Sequence, residues 1–175
     1  MTDATDDQVF ADWLEAMHPR LSRFEDFLLP ANVIHEDGTQ EPFLRDYSRE
    51  SLEQLEQFIL DRWPTQAAFL EESDTDFIDG ATRYIGETLL RAYGGGWHLN
   101  DVPTFDSSGR PFVLLDTLDK TPITPFFLLT ALLKRRTGRE LTRVYDGQAL
   151  NIAERREQEG PDWQPRRDPV PGITS

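Results

Sequence analysis

Between residues 77 and 97 the chain reads Phe-Ile-Asp-Gly-Ala-Thr-Arg-Tyr-Ile-Gly-Glu-Thr-Leu-Leu-Arg-Ala-Tyr-Gly-Gly-Gly-Trp. Phe77, Ile78, Ala81, Tyr84, Ile85, Thr88, Leu89 and Ala92 recur at three- and four-residue spacing and make one continuous apolar face, the mark of an amphipathic helix. Gly94-Gly95-Gly96 ends it, because glycine enters the left-handed region of a helix C-terminus without a Cβ penalty. Gly80 and Gly86 lie inside the helix, where each costs about 1 kcal/mol relative to alanine. Glycines kept at that cost predict another backbone packed close against this helix.

Beyond the glycines, Trp97-His98-Leu99 and Pro111 to Asp116 read as two strands of a hairpin, joined by a loop containing Asn100, Asp101, Pro103, Ser107, Ser108 and Gly109. Thr124 followed by Pro125 marks the start of a helix. That helix runs to about Thr137, with Lys134, Arg135 and Arg136 in its last turn and Gly138 closing it. Glu140 to Tyr145 alternates loosely and reads either as a third strand or as the start of a helix; residues 147–158 read as helical. From Gly160 the chain carries Pro161, Pro165, Pro169 and Pro171 with few apolar anchors, which predicts an extended or disordered end over 160–175.

On the N-terminal side, Val9, Phe10, Trp13, Leu14, Met17, Leu21, Phe24, Phe27 and Leu28 follow helical spacing, with Thr5 or Asp6 as cap. Pro19 predicts a break near His18, since proline lacks the amide hydrogen and crowds the preceding turn. Residues 31–47 carry loop signals and at most one short extended piece. Ser48 caps a helix with the stripe Leu52, Leu55, Phe58, Ile59 and Trp63, Pro64 stops it, and Thr65 caps a short turn through Leu70. The sum is an α+β fold, rich in helix: four or five helices around a small antiparallel sheet, in one domain over 1–159 with a Pro-rich tail.

The chain has 175 residues, 38% of them apolar, with 11 Phe, 4 Trp and 4 Tyr, which is enough for a single sizeable core. With no cysteine there is no disulfide, thiol nucleophile or thiolate metal site. The acidic start Met1-Thr-Asp-Ala-Thr-Asp-Asp does not resemble a signal peptide, and no run approaches a membrane span. A cytoplasmic location is the expectation. The net charge is −14. Residues 1–80 hold 20 Asp/Glu against 5 Lys/Arg, a balance of −15, while residues 81–175 hold 12 against 13, a balance of +1. So negative a surface repels phosphate backbones, arguing against nucleic acid, and steers a basic protein toward the N-terminal half.

Patterns that carry chemistry are sparse. His18, His35 and His98 are scattered, and His98 with Asp101 is only a two-ligand fragment, so no metal and no cofactor is expected. No Gly-x-Ser-x-Gly elbow or phosphate-binding loop occurs. Glu87, with Arg83 and Arg91 four residues to either side, reads as a structural Arg–Glu–Arg network, with a general acid or base as the sharper alternative. Glu71, Glu72, Asp74, Asp76 and Asp79 cluster before the central helix. They lack the glycine and glutamate positions of a calcium loop, which leaves two roles: charging a helix N-terminus, or mimicking negative charge for a basic cleft. Phe43 and Trp163, aromatics in loop or tail context, either anchor an interface or fold back on the domain.

The motif Tyr84-Ile-Gly-Glu-Thr-Leu-Leu-Arg91 followed by Gly95-Gly96-Trp97 resembles a pattern in short, often actinobacterial proteins that have no assigned enzymatic role. In those a Tyr-x-Gly-Glu helix leads through Gly-Gly-x-Trp into a strand, then an apolar strand and a Pro-Phe helix. The likeness spans Phe77 to Arg136, about a third of the chain. In size and character the chain is also similar to immunity factors of secreted toxins, such as that of the tuberculosis necrotizing toxin, an NAD-cleaving enzyme. That likeness transfers no functional residues.

The expectation from these readings is a non-catalytic immunity protein. Glu36 and Asp37 in one acidic loop, and Glu71, Glu72, Asp74, Asp76 and Asp79 in another, would enter and occlude the basic active site of a toxin. The alternatives are a chaperone for a secreted protein and an enzyme centred on Glu87.

Overall fold

The helix predicted at 77–93 runs from Thr75 to Tyr93 and is the axle of the fold. In chain order it is the fifth helix, α5. The computed structural model describes residues 4–72, 75–99 and 109–171. Before α5 come α1 (Ala4–Glu15), α2 (Met17–Arg23) running into a π-helical turn (Phe24–Leu28), the hairpin strands β1 (Asn32–Ile34) and β2 (Gln40–Pro42), α3 (Arg49–Arg62) and α4 (Gln66–Glu72). After it come β3 (Gly96–Leu99), β4 (Pro111–Leu114), α6 (Pro125–Arg135) and α7 (Glu140–Glu159). The architecture is a helix-rich α+β domain with two small antiparallel two-stranded sheets.

α5 is covered by α2, the π-helical turn, α3, α6, α7 and β4. Its predicted face is buried except for Ile78 and Ala92, which are half-buried, and Arg83, Glu87 and Leu90 outside that face are buried too. The two internal glycines admit aromatic rings rather than another backbone. A Cβ on Gly80 would lie 2.4 Å from the Phe24 ring, and one on Gly86 would lie 2.0 Å from the Trp97 ring. Gly94, at φ +66°, ends the helix as predicted, its amide bonded to Leu90 O at 2.9 Å.

Several boundaries differ from the sequence reading. The N-terminal break falls at Ala16, between α1 and α2, and Pro19 sits in the first turn of α2, where its missing amide hydrogen leaves no bond unmade. Helix α1 begins at Ala4, so Thr5 and Asp6 lie within it and do not cap it. Residues 31–47 form a true hairpin, with Val33 opposite Glu41. Glu140–Tyr145 is the first part of α7 and not a strand, for a reason in the partner helix: the Glu56 carboxylate accepts the amides of Glu140 at 3.0 Å and Leu141 at 2.8 Å. Arg136, expected to favour the end of its own helix, sends its guanidinium to the Leu60 and Trp63 carbonyls at the end of α3, both at 2.8 Å. The predicted caps Ser48 and Thr65 receive the amides of Ser51 at 3.1 Å and Ala68 at 3.0 Å. Strands β3 and β4 pair as expected, Trp97 opposite Val113; residues 100–108 of their loop lie outside the described residues.

The tail has anchors that composition did not reveal. Gly95 N donates to Arg166 O at 2.8 Å and Asp168 N to Gly95 O at 2.8 Å, a short parallel pairing. Arg166 N donates to Asp116 Oδ2 at 2.8 Å, Val170 is buried, and Trp163 packs on the core with Arg155 over its ring. The glycine run has a second task here, because a Cβ on Gly94 would come within 2.7 Å of Arg166 O and one on Gly96 within 2.2 Å of Asp168 Oδ2. Phe43 also folds back and is buried in the core.

Candidate functional site: an acidic groove

Ser48 starts α3, and the helical period then divides its residues. Leu52, Leu55, Glu56, Ile59 and Leu60 turn inward. Glu50, Glu53, Gln57 and Asp61 follow three to four residues apart on the other side and are exposed. The β1–β2 hairpin stands over this second face. Gln54 staples the two: its side chain accepts Leu44 N at 2.7 Å and donates to Glu41 Oε1 at 3.0 Å. The hairpin base is tied to the α2 end of the domain by Arg45, which donates to Glu25 O at 2.7 Å and Pro30 O at 3.0 Å.

Between hairpin and helix lies a groove of about 720 Å³. Val33, Ile34, Pro42 and Leu44 supply its apolar part, and Glu36, Glu41, Glu50, Glu53 and Asp61 its charge. Among the described residues no lysine or arginine lines it, and His35 stands 3.4 Å from Glu41. Ile34 is 69% exposed, a large apolar side chain left in water beside those carboxylates.

The predicted recognition acids divide into three groups. Glu36 lines the groove. Asp37 lies in the hairpin turn and does not line the groove; its Oδ1 accepts the Thr39 hydroxyl at 2.6 Å and the Thr39 amide at 2.9 Å, and these bonds hold its carboxyl below the usual range. Glu71 and Glu72 are exposed at the end of α4 and do not line the groove. Asp74 lies outside the described residues. Asp76 and Asp79 are tied into the domain. Asp76 pairs with Arg20 at 2.7 Å and Arg23 at 2.9 Å, and Asp79 pairs with Arg83 at 2.9 Å and accepts from Trp13 Nε1 at 3.2 Å. Those two carboxylates join α5 to α1 and α2, so most of their charge is already compensated. Glu41, Glu50, Glu53 and Asp61 were missed by the sequence reading, although the period that marked the apolar stripe of α3 also marks its acidic one.

The network around Glu87 is real but differently composed. The fully buried carboxylate accepts Trp97 Nε1 at 2.8 Å through Oε1 and pairs through Oε2 with Arg167 of the tail, with Arg91 Nε at 3.8 Å. Arg83 is not part of it. Side chains on a helix lean toward its N-terminus, so Arg83 reaches back to Asp79 while Arg91 reaches back to Glu87. Arg83 then lies over the Trp13 ring at 3.9 Å and donates to Trp13 O at 2.7 Å. With both oxygens engaged and no exposed surface, Glu87 has the setting of a structural charge. No group of three or more His, Asp or Glu gathers at metal-binding distance among the described residues, and no described helix is long and apolar enough to cross a membrane.

The fold is a helix-rich α+β domain that carries an acidic, partly apolar groove. No known protein family, curated protein or solved structure matches the chain.

Proposed function

We propose that this chain is a non-catalytic immunity protein of the cytoplasm, which binds a basic protein toxin and occludes its active site. The observation that supports this reading is the groove: five carboxylates with no lysine or arginine among them, set around the exposed Ile34. Opposed charge raises the association rate, and a desolvated apolar contact at the centre supplies much of the affinity. The likeness in character to the immunity factor of an NAD-cleaving toxin makes that class of toxin the first to assay.

The test is neutralisation followed by a charge-removal set. Tagged protein is added to candidate basic toxins at equimolar dose, and the quadruple variant Glu36→Gln, Glu50→Gln, Glu53→Gln, Asp61→Asn is compared with the parent. All four side chains are exposed, so the fold should be unaffected. Activity silenced by the parent but not by the variant, together with a flatter salt dependence of association, is the expected result. Unchanged affinity and salt slope in the variant would remove the groove as the interface. A bound but inactive secreted protein would favour the chaperone instead.

A further inference from the structure

The acidic character of the chain is not uniform over its surface. Between the end of α5 and the tail lies a cleft of about 420 Å³ lined by Leu90, Arg91, Ala92, Gly94, Gln164, Pro165 and Arg167. Among the described residues its charged lining is two arginines, on a chain whose net charge is −14. We propose that this cleft, where Arg91 and Arg167 converge, binds the phosphate group of a small molecule.

The guanidiniums share the fully buried Glu87, and Arg91 also feels the half-buried carboxylate of Glu25. Arg167 contacts Glu87 Oε2, and Arg91 Nε stands 3.8 Å from the same oxygen, too far for a hydrogen bond. Neither carboxylate is among the residues lining the cleft, so its wall presents two guanidiniums and, among the described residues, no acid. Each guanidinium carries five N–H donors, and most of these are not committed to Glu87. Arg91 lies over the Tyr47 ring at 3.5 Å, a stack that orients the guanidinium plane and leaves its edge to point elsewhere.

Both groups are held in place before any ligand arrives. Glu87 is fixed by Trp97 Nε1 at 2.8 Å, and the backbone on either side of Arg167 is fixed by the Gly95 pairing at 2.8 Å. Preorganised donors bind with less loss of side-chain entropy. A planar carboxylate is saturated by one arginine fork, whereas a tetrahedral phosphate offers oxygens to forks arriving from two elements. The volume falls within the roughly 300–1,000 Å³ of small-molecule sites and leaves room for the organic part of a phosphate monoester.

The reporter is the Trp97 indole N–H, which touches Glu87 directly behind the arginines and is followed by NMR on the full chain. Inorganic phosphate, glycerol phosphate and acetate are titrated at constant ionic strength. The expected result is a saturable shift with either phosphate compound and a weaker response to acetate. Tighter binding of glycerol phosphate would identify an ester as the ligand type, and tighter binding of inorganic phosphate the free anion. Arg91→Gln should weaken phosphate at least tenfold while leaving the ligand-free Trp97 resonance in place. Arg110→Gln, outside the cleft, should change nothing. A response that does not saturate, that acetate matches, or that survives Arg91→Gln overturns the proposal.

Discussion

Glu56 accepts the backbone amide of Leu141, 85 residues further along the chain, at 2.8 Å, and its other oxygen accepts that of Glu140. The first residues of α7 have no side-chain cap of their own, and the buried carboxylate of a different helix does that work. Two amides that every helix leaves unpaired at its start are satisfied by a tertiary contact. Glu56→Ala should therefore lose about 2–3 kcal/mol, since buried donors without partners each cost about 1–3 kcal/mol. Glu56→Gln keeps an acceptor oxygen and should lose less. Urea unfolding gives the two values, and hydrogen exchange should show protection lost first at Glu140 and Leu141. Equal stability of all three proteins would contradict the capping role.

Arg167 and the buried Glu87 make a largely buried pair across 80 residues, and removing Arg167 leaves Glu87 with only the more distant Arg91. Arg167→Ala should cost about 3 kcal/mol, at the lower end of what breaking a buried pair costs, because Arg91 stays near. Arg167→Ala combined with Glu87→Gln should cost less than the sum of the two single changes. Strictly additive losses would mean that the pair is not coupled. The same set bears on the enzyme alternative: Glu87→Gln is expected to alter stability and the Trp97 environment.

Much of this fold is legible in the sequence because it depends on local rules. The apolar period of α5, the Gly94 stop, the Ser48 and Thr65 caps and the β3–β4 alternation all follow from residues close together in the chain. The misreadings share a different origin. The start of α7 depends on Glu56, the placement of the Arg136 side chain on carbonyls of α3, and the order of the tail on Gly95 and Asp116, and each partner lies dozens of residues away. A glycine run reads as a helix stop from either side, and its second task of seating the tail appears only when the C-terminal segment returns to the middle of the chain. For the candidate site, Glu36 was legible as a loop acid. Glu50, Glu53 and Asp61 lie on the exposed side of a helix whose apolar stripe is the stronger signal, and only the hairpin packed over that side makes a groove of them.

Gly86 and Gly147 test what a helical glycine is for. Both lie inside helices, so alanine should gain about 1 kcal/mol of helix propensity at either. At Gly147 nothing lies within 4 Å of the added methyl, and Gly147→Ala should realise that gain. At Gly86 the methyl would lie 2.0 Å from the Trp97 ring, which is buried and bonded to Glu87. Overpacking of a tight core costs about 1–3 kcal/mol or more, so Gly86→Ala should be a net loss. Opposite signs in the two melting temperatures are the expected outcome. A stabilised Gly86→Ala would show that Trp97 can move aside.

The acid limb of stability should carry the mark of Glu140. Burial works to raise its carboxyl, but the guanidiniums of Arg143 and Arg135, each at 2.9 Å, outweigh it and hold the group below its ordinary value of 4.5. A carboxyl depressed in the fold stabilises the protein above its unfolded value, and the contribution is lost as pH falls through the folded one. Asp146, lowered by its bond to Arg49, acts in the same sense. Glu25 and Glu56, both raised mainly by burial, act in the opposite sense, and their contribution fades as pH rises. The whole-protein profile mixes these signs, so the informative quantity is the difference between parent and Glu140→Gln. Because both arginines are largely exposed, that difference should be only about 1 kcal/mol at pH 7, and it should shrink toward zero as the pH falls below the ordinary carboxylate range. Urea midpoints across that span give the difference directly. A gap that stays constant down the acid limb would mean that Glu140 acts through packing and not through its charge.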